Sequence, residues 1–414
     1  MKITNIKTYL ITSEKSVLFI VLSLIALAGF IYSLVLGEQL RFQDEGHYLR
    51  MANNLIKHKI YSYDINAIYP TAFHPPGYTI IIASVIALGG GILTLRMLNF
   101  LSLCLCIFLI YHILKKHDFS FGARWVPVII FCYPVLFFTA STIYPQIIAA
   151  TIFVFIIYIA DNSAPKSFNA IFTGGLYGML ILISPSFIMV LPVMIITHYI
   201  LKGRFSFKYI MAFIIGIAII LTPWAIRNYI VFHRFVLLSN NAGKTFILGN
   251  SENARPNTGE GIDLSKYDNE IKRLDLDEVD ADRYYKKKAF EWIKNNPKDF
   301  IKLYLLKFFN YFNYRNELAT KIEQSKLRDI VMFFTYYPIL LLAMLRVLFI
   351  KRYPLKNIEI LFIIFYIMSA FSNALFLPRI RYRLPFDILL ICLSAATLDY
   401  IKSYLKNIAK PTTD

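Results

Sequence analysis

The chain has 414 residues, of which 57% are hydrophobic and 16% aromatic, and its mean hydropathy is +0.54. Soluble domains are only about half apolar, so this composition excludes an ordinary soluble enzyme and predicts a polytopic helical membrane protein. The formal net charge of +18 invites a nucleic-acid interpretation. Much of the excess Lys and Arg, however, lies in short loops beside apolar runs, where membrane topology places positive charge.

Ten apolar runs approach the ~20 residues that a helix needs to cross a bilayer. The approximate spans are 16–37, 94–114, 124–141, 144–160, 168–183, 185–200, 209–226, 330–350, 358–376 and 382–401. Net positive charge marks five segments, which are 1–15, 115–124, 201–208, 346–356 and 402–414. Ten spans that start inside place all five segments and both termini in the cytoplasm, as the positive-inside bias requires.

This topology holds only if the apolar segment 77–91 does not cross the bilayer. Its apolar core of about 13 residues is short for a span and suits a re-entrant or interfacial segment. Residues 38–77, a large loop at 227–329 and the turn at 377–383 then face outward. The predicted organisation is an N-terminal transmembrane module (1–226), an outer loop domain (227–329) and C-terminal transmembrane helices (330–414).

An adjacent Asp44–Glu45 pair follows the first predicted span, in RFQDEGHYLRMANNLIKHK. Asp44 is predicted to cap a helix that runs to about Lys59, with Glu45 in its first turn, where the helix dipole favours acidic side chains. The apolar positions of this helix share one face, which predicts an amphipathic helix on the membrane surface. The carboxylates could instead provide a general base, with a pKa raised by partial burial, or hold a divalent cation.

Three arginines alternate in RIRYR, on the outer side of the last predicted span. Positive-inside statistics disfavour arginine there, and guanidinium groups bind phosphate oxygens bidentately. Arg379, Arg381 and Arg383 are therefore candidates for binding an anionic lipid headgroup. The alternative is that Arg383 pairs with Asp387 one turn later while the other two extend to the membrane interface. The sequence favours neither.

Three more polar residues lie near the outer ends of predicted spans. Gln146, in TIYPQ, could orient a substrate or serve packing, and His74, in HPPGY, could contact a ligand or lie at the interface. Arg227, in TPWAIRNY, could reach a headgroup or anchor the helix end. No charged residue inside the spans traces an ion path, which disfavours a proton-coupled or sodium-coupled transporter.

Several segments together resemble the bacterial membrane glycosyltransferases of family 39, which include protein O-mannosyltransferases and aminoarabinose transferases. The similar segments are the Asp–Glu motif with its following Tyr–Leu, YPTAFHPPGY, LTPWAIRNYIVFHRFVLLSNNAGKTFILGNS, DADRYYKKKAFEWIKNNPKDF and RYRLPFD. They extend from about residue 16 to about residue 400. The resemblance implies an all-α, C-type glycosyltransferase fold with about ten transmembrane helices and a mostly helical outer domain.

The resemblance also implies an activity, which is inverting transfer of one sugar from a polyprenyl-phosphate carrier. The reaction would occur on the periplasmic face of the bacterial cytoplasmic membrane. Asp44 matches the family's catalytic acidic residue and Glu45 its neighbour, whereas the arginines of RYR match the approach to the carrier phosphate. Glu45, His74 and Tyr78 would position sugar or acceptor, and the 227–329 domain would cover the site and select the acceptor.

Expected partners follow from the same resemblance. They are the lipid-linked donor, membrane lipids and a lipid, glycan or protein acceptor, without nucleic acid. No cofactor is implied, although a divalent cation stays open.

Two positions depart from the pattern of this family. Many relatives carry an acidic residue at the position of Gln146 and an Arg–Pro at the position of Ser184–Pro185. The first departure weakens the case for a metal held between two outer loops, and the second leaves more of the phosphate contact to the RIRYR arginines. Two alternatives stay open, namely a non-enzymatic binder or flippase of polyisoprenoid-linked glycans and a scaffold subunit without activity.

Overall fold

The protein is all-helical in a computed structural model that describes residues 14–64, 69–164, 166–257, 261–315 and 325–408. The predicted cytoplasmic segments at the two ends of the chain lie partly outside these ranges. The α-helices are, in chain order, α1 (Glu14–Leu36), α2 (Gln43–His58), α3 (Pro76–Ala87), α4 (Ile92–Lys116), α5 (Ser120–Phe131), α6 (Pro134–Ala140), α7 (Gln146–Asn162), α8 (Ser167–Ile183), α9 (Leu191–Lys202), α10 (Phe207–Phe232), α11 (Ala242–Gly249), α12 (Ser265–Arg273), α13 (Glu278–Asn295), α14 (Pro297–Asn310), α15 (Lys326–Leu345), α16 (Asn357–Leu375) and α17 (Ile380–Ile408). Short 3₁₀ segments, Pro185–Val190 and Arg346–Phe349, precede α9 and follow α15.

Within the described ranges, seven helices are long and apolar enough to cross a membrane, or eight if the bent pair α5–α6 forms one span. The predicted polytopic helical class is therefore confirmed. Two further predicted spans, 144–160 and 168–183, correspond to α7 and α8, which are apolar helices of 17 residues each. Every predicted span thus has a helix or a helix pair at its position.

The predicted span at 124–141 corresponds to two helices, because α5 and α6 meet at an angle of 61°. The break lies at Tyr133, whose φ of −103° and ψ of 84° are not helical. Pro134 causes it, since a proline lacks the backbone N–H and disfavours helical geometry in the residue before it.

Helix α3 occupies most of the segment predicted not to cross the bilayer. Its 12 residues correspond to about 18 Å, well short of the ~30 Å hydrocarbon core. The helix begins at Pro76, and Gly77 lies so close to α8 that a Cβ there would be 2.6 Å from the backbone of Leu182. This close approach brings the turn that carries His74 next to the end of α8.

Helix α2 departs from prediction in its cap and in its surroundings. Its N-cap is Phe42, so Asp44 lies inside the first turn and does not cap the helix. Glu45 lies in the first turn, as predicted, and its side chain accepts the backbone N–H groups of Arg41 and Phe42. The apolar residues Tyr48, Met51 and Ala52 are buried within the main hydrophobic core, so this face of the helix contacts protein and does not rest on lipid.

The predicted outer loop domain (227–329) contains its own small hydrophobic core. That core consists of Ile247, Leu264, Tyr267, Tyr285 and Ala289. The predicted break at Asn296–Pro297 is confirmed, since α13 ends at Asn295 and α14 begins at Pro297. Exposed apolar side chains on α14, including Ile301 and Phe309, suit its predicted position at the membrane interface.

Helix α17 runs through the centre of the membrane-embedded part, with almost all side chains from Arg383 to Thr397 buried. It packs against α5, α7, α15 and α16. Its first turn contains Arg381 and Arg383 and follows the short connector that bears Arg379. The position of the central helix therefore determines which residues these arginines can contact.

Candidate active site

A cavity of about 630 Å³, here called the outer cavity, lies between the predicted outer domain and the adjoining ends of the membrane helices. Its size is within the range typical of small-molecule sites. The start of α2, the HPP turn, the start of α7, the residues after α8 and the connector before α17 all contribute to its wall. Among the described residues, five cationic and two acidic side chains line it, a net charge of +3, and these are Lys244, Arg283, Lys286, Arg379 and Arg381 with Asp44 and Asp282.

Asp44 and Arg381 form an ion pair in the wall of the outer cavity. The distance between Oδ2 of Asp44 and Nη1 of Arg381 is 3.0 Å, and the side chains are 34% and 31% exposed. The Tyr144 hydroxyl donates to the same carboxylate oxygen at 3.1 Å. Nη2 of Arg381 donates to the Tyr382 hydroxyl, whereas its Nε is buried and has no hydrogen-bond partner in the described part of the chain. The pair thus combines an accessible carboxylate with an unused donor.

Arg381 decides the protonation state of Asp44. Burial raises the pKa of this carboxyl, but the charge and hydrogen bond of Arg381, helped by His74 and Tyr144, outweigh burial and hold the pKa below its ordinary value. The expectation that burial would raise this pKa toward neutrality is therefore wrong. Asp44 is ionised at neutral pH, and only the ionised form can accept a proton.

The three RIRYR arginines do not share one environment. Arg379 and Arg381 line the outer cavity, whereas Arg383 is 1% exposed and points into the helix bundle. Arg383 pairs with Asp387 at 3.0 Å and donates to the carbonyl oxygens of Tyr311 and Asn313, each at 2.6 Å. Its predicted contact with a substrate phosphate does not fit this position, and the alternative pairing with Asp387 is the one observed.

Glu45 lies behind the cavity wall and holds it together. Its Oε1 accepts the backbone N–H groups of Arg41 and Phe42, each at 2.9 Å, and its Oε2 accepts that of Ile143 at 2.8 Å. The side chain is completely buried. Its predicted catalytic role therefore requires correction, because its oxygens are occupied by backbone groups. Glu45 instead fixes the loop before α7 against the start of α2.

His74 and Gln146, both predicted substrate contacts, do line the outer cavity. The Nε2 atom of His74 and the Oε1 atom of Gln146 are buried and lack hydrogen-bond partners among the described residues. Burial lowers the pKa of His74 to about 4, partly opposed by the charge of Asp44. The imidazole is therefore neutral at pH 7, and both side chains offer uncharged hydrogen-bonding groups.

Tyr78 and Arg227 are not among the residues that line the outer cavity. Tyr78 is 2% exposed and its ring packs edge-on against Tyr48, with 5.1 Å between the centroids. Arg227 donates to the carbonyl oxygen of Thr71 at 2.9 Å and lies over the Trp224 ring at 4.9 Å. The predicted substrate contacts of both residues are thus corrected, and Arg227 has the anchoring role that the sequence left as its alternative.

Sequence reasoning did not identify the individual residues that the predicted outer domain contributes to the cavity wall. Lys244 on α11 and Lys286 on α13 line the outer cavity together with Asp282. Asp282 accepts from Lys286 and from the backbone N–H of Gly243, each at 2.5 Å. The run of three lysines at 286–288 was visible in the sequence, but only the tertiary fold shows which one faces the cavity.

Lys307, also missed, is completely buried and holds the connector that leads to α17. Its ammonium group donates to the carbonyl oxygens of Gly249 and Phe376 at 2.9 and 3.2 Å and to the side chain of Asn250 at 3.3 Å. Burial lowers the pKa of Lys307 to about 7. Because Phe376 comes shortly before Arg379 and Arg381, Lys307 fixes the chain segment that presents these arginines.

Among the described residues, no group of three or more His, Cys, Asp and Glu side chains could hold a metal ion. Asp44 is the only carboxylate from the membrane module in the described wall of the outer cavity. The divalent cation that the sequence left open thus stays a prediction.

No protein-family model matches the sequence, and no curated protein matches it. Among solved structures, the chain is similar to one described as ArnT from Cupriavidus metallidurans bound to undecaprenyl phosphate. The identity is 12% and the TM-score 0.40, and the match covers 94% of this chain and 79% of that chain. This likeness is too weak to assign a fold family or a reaction to the present protein.

Proposed function

We propose that this protein transfers a single sugar from a polyprenyl-phosphate donor to an acceptor, with inversion, at the outer face of the bacterial cytoplasmic membrane. The observation that carries the proposal is the placement of Asp44 and Arg381, 3.0 Å apart, in one cavity with a net charge of +3. Glycosyl transfer from a phosphate needs both a base for the acceptor and cations for the leaving group.

The composition of the cavity wall supports a lipid-linked phosphate as the donor. Arg379 and Arg381 supply guanidinium groups, which match phosphate oxygens geometrically. The end of α8 and the residues after it add an apolar wall, with Ile183, Ile188 and Met189, suited to the first isoprene units. The sequence resemblance to family 39 glycosyltransferases agrees with this donor.

The proposed reaction is a single displacement. The ionised carboxylate of Asp44 takes the proton from the acceptor nucleophile as that atom attacks the anomeric carbon. The bond from the anomeric carbon to the phosphate oxygen breaks, and its electron pair leaves with the polyprenyl phosphate. Arg381 and Arg379, whose side chains line the cavity, stabilise the negative charge of the leaving phosphate. Glu45 keeps Asp44 in place through the backbone.

The alternative of a non-enzymatic binder or flippase would need the cations but not a carboxylate beside them. The test uses purified protein in detergent with radiolabelled polyprenyl-phosphate sugars, incubated with lipid, glycan and protein fractions of the cell envelope. We expect label to move to one fraction, or to be released slowly as free sugar when water is the only acceptor. Binding of donor without cleavage, together with movement of a fluorescent polyprenyl phosphate across vesicles, would support the flippase instead.

Replacing Arg381 with Met is expected to shift the pH dependence of transfer. Without the guanidinium, burial becomes the dominant influence and the pKa of Asp44 rises. The acid limb of the pH profile should therefore move to higher pH. Loss of charged hydrogen bonds to the phosphate should also raise the donor KM roughly 10- to 100-fold.

The measurement is kcat/KM between pH 4 and pH 8 for purified variants. Arg234→Met is the matched control, because Arg234 pairs with Asp277 and Asp280 and is not among the residues lining the outer cavity. An acid limb at the same pH in Arg381→Met and in the unmodified protein would contradict the assigned coupling.

A further inference from the structure

Two polar side chains in the wall of the outer cavity each contain a buried atom with unused hydrogen-bonding capacity. They are Nε2 of His74 and Oε1 of Gln146, neither of which has a partner among the described residues. Buried polar groups in proteins are almost always hydrogen-bonded. Because both atoms lie in a wall that also contains Asp44, their partners are expected to be groups of the molecule that reacts there.

Both groups are uncharged at neutral pH. Gln146 has an amide, and its Oε1 can only accept hydrogen bonds. The imidazole of His74 is neutral because burial disfavours its cation, so one of its ring nitrogens donates and the other accepts. A hydroxyl group satisfies either partner, since it both donates and accepts.

The described carboxylates of the cavity are already paired. Asp44 contacts Arg381 at 3.0 Å and Tyr144 at 3.1 Å. Asp282 contacts Lys286 and the Gly243 N–H. An ammonium group on the sugar would therefore meet a net positive wall whose carboxylates are already ion-paired, and the positive potential would oppose its entry.

We propose that the sugar bound at this site is an uncharged, hydroxyl-bearing ring, recognised by Gln146 and His74, and not an amino sugar. This inference rests on the proposed function, because it concerns the sugar of the same donor. It assigns specificity to Gln146 in particular. A glutamate at position 146 would add an anion beside the ring and favour an ammonium group.

The test compares two synthetic donors that differ in one group, a polyprenyl-phosphate hexose and the same lipid with one ring hydroxyl replaced by an amine. We expect the unmodified protein to prefer the neutral donor at least tenfold in kcat/KM at pH 7. Gln146→Glu should reduce this preference at least tenfold. Gln39→Glu is the matched control, since Gln39 is exposed and is not among the residues lining the cavity, and it should keep the original preference.

A binding measurement separates this inference from the proposed function. Competition of the two lipids against a labelled polyprenyl-phosphate hexose reports sugar preference even if neither donor is cleaved. Preferential binding of the neutral lipid without transfer would retain the sugar assignment and overturn the enzymatic one. Equal or tighter binding of the amino-sugar lipid, or of a lipid whose sugar bears a carboxylate, would overturn the sugar assignment. Unchanged selectivity in a folded Gln146→Glu variant would overturn the role of Gln146.

Discussion

Asp44→Asn is expected to reduce sugar transfer by about 10²- to 10⁴-fold in kcat, the usual contribution of a positioned general base. An amide has nearly the same shape as the carboxylate but cannot take the proton from the acceptor. Donor binding should change much less than kcat, because Arg379 and Arg381 still face the cavity. Stability should change little, since an ion pair between partly exposed side chains contributes about 0–1 kcal/mol.

The chain offers a matched control for Asp44→Asn. Asp280 pairs with Arg234 at 2.9 Å and is 37% exposed, which resembles the Asp44–Arg381 pair in distance and exposure. It is not among the residues that line the outer cavity, so Asp280→Asn should transfer sugar normally. Turnover by a correctly folded Asp44→Asn variant at the rate of the unmodified protein would remove Asp44 as the base.

Local patterns predicted the helices well and their breaks less well. Each predicted span has a helix at its position because about 20 apolar residues in succession suffice to indicate one. The bend between α5 and α6 was missed because Pro127 and Pro134 lie in the same apolar run, yet only Pro134 interrupts the helix. Whether a proline kinks or breaks a helix depends on neighbouring helices that the local sequence does not reveal.

The candidate site was only partly predictable, and the RIRYR motif shows why. As an extended turn, alternate residues would share one face and all three arginines would point outward. In the structure α17 begins at Ile380, so Arg381 and Arg383 are two helical positions apart and point in nearly opposite directions. One contacts Asp44 in the cavity and the other contacts Asp387 in the bundle.

Long-range contacts account for the remaining errors. The low pKa of Asp44 depends on Arg381, which is 337 residues away in the chain. No local sequence pattern predicts that contact. The sequence placed Glu45 beside the catalytic candidate Asp44, but it could not show that Glu45 contacts the backbone of Ile143. The adjacent acids therefore divide into one residue that faces the cavity and one that supports it.

Arg383→Met is expected to destabilise the protein by about 3–5 kcal/mol, the usual cost of leaving one member of a buried ion pair uncompensated. Asp387 is 1% exposed and, among the described residues, would keep only the hydroxyl groups of Tyr133 and Tyr366 as partners. The carbonyl groups of Tyr311 and Asn313 would lose a charged donor as well. The measurement is the free energy of unfolding of purified variants by denaturant titration in detergent.

Two comparisons test this interpretation. The first distinguishes loss of charge from loss of packing at Arg383, and the second distinguishes the buried arginine of the helix bundle from the arginine of the cavity. The double variant Arg383→Met with Asp387→Leu removes both charges, so it should recover a large part of the lost stability. Arg381→Met, two residues earlier in the same helix, should lose less than about 1 kcal/mol of stability, although its kcat/KM for transfer falls. A stable Arg383→Met protein, or a double variant no better than the single one, would show that the Arg383–Asp387 pair does not hold α17 in place. If Arg383→Met instead remained stable and lost transfer, then Arg383 would belong to the reaction together with Arg381.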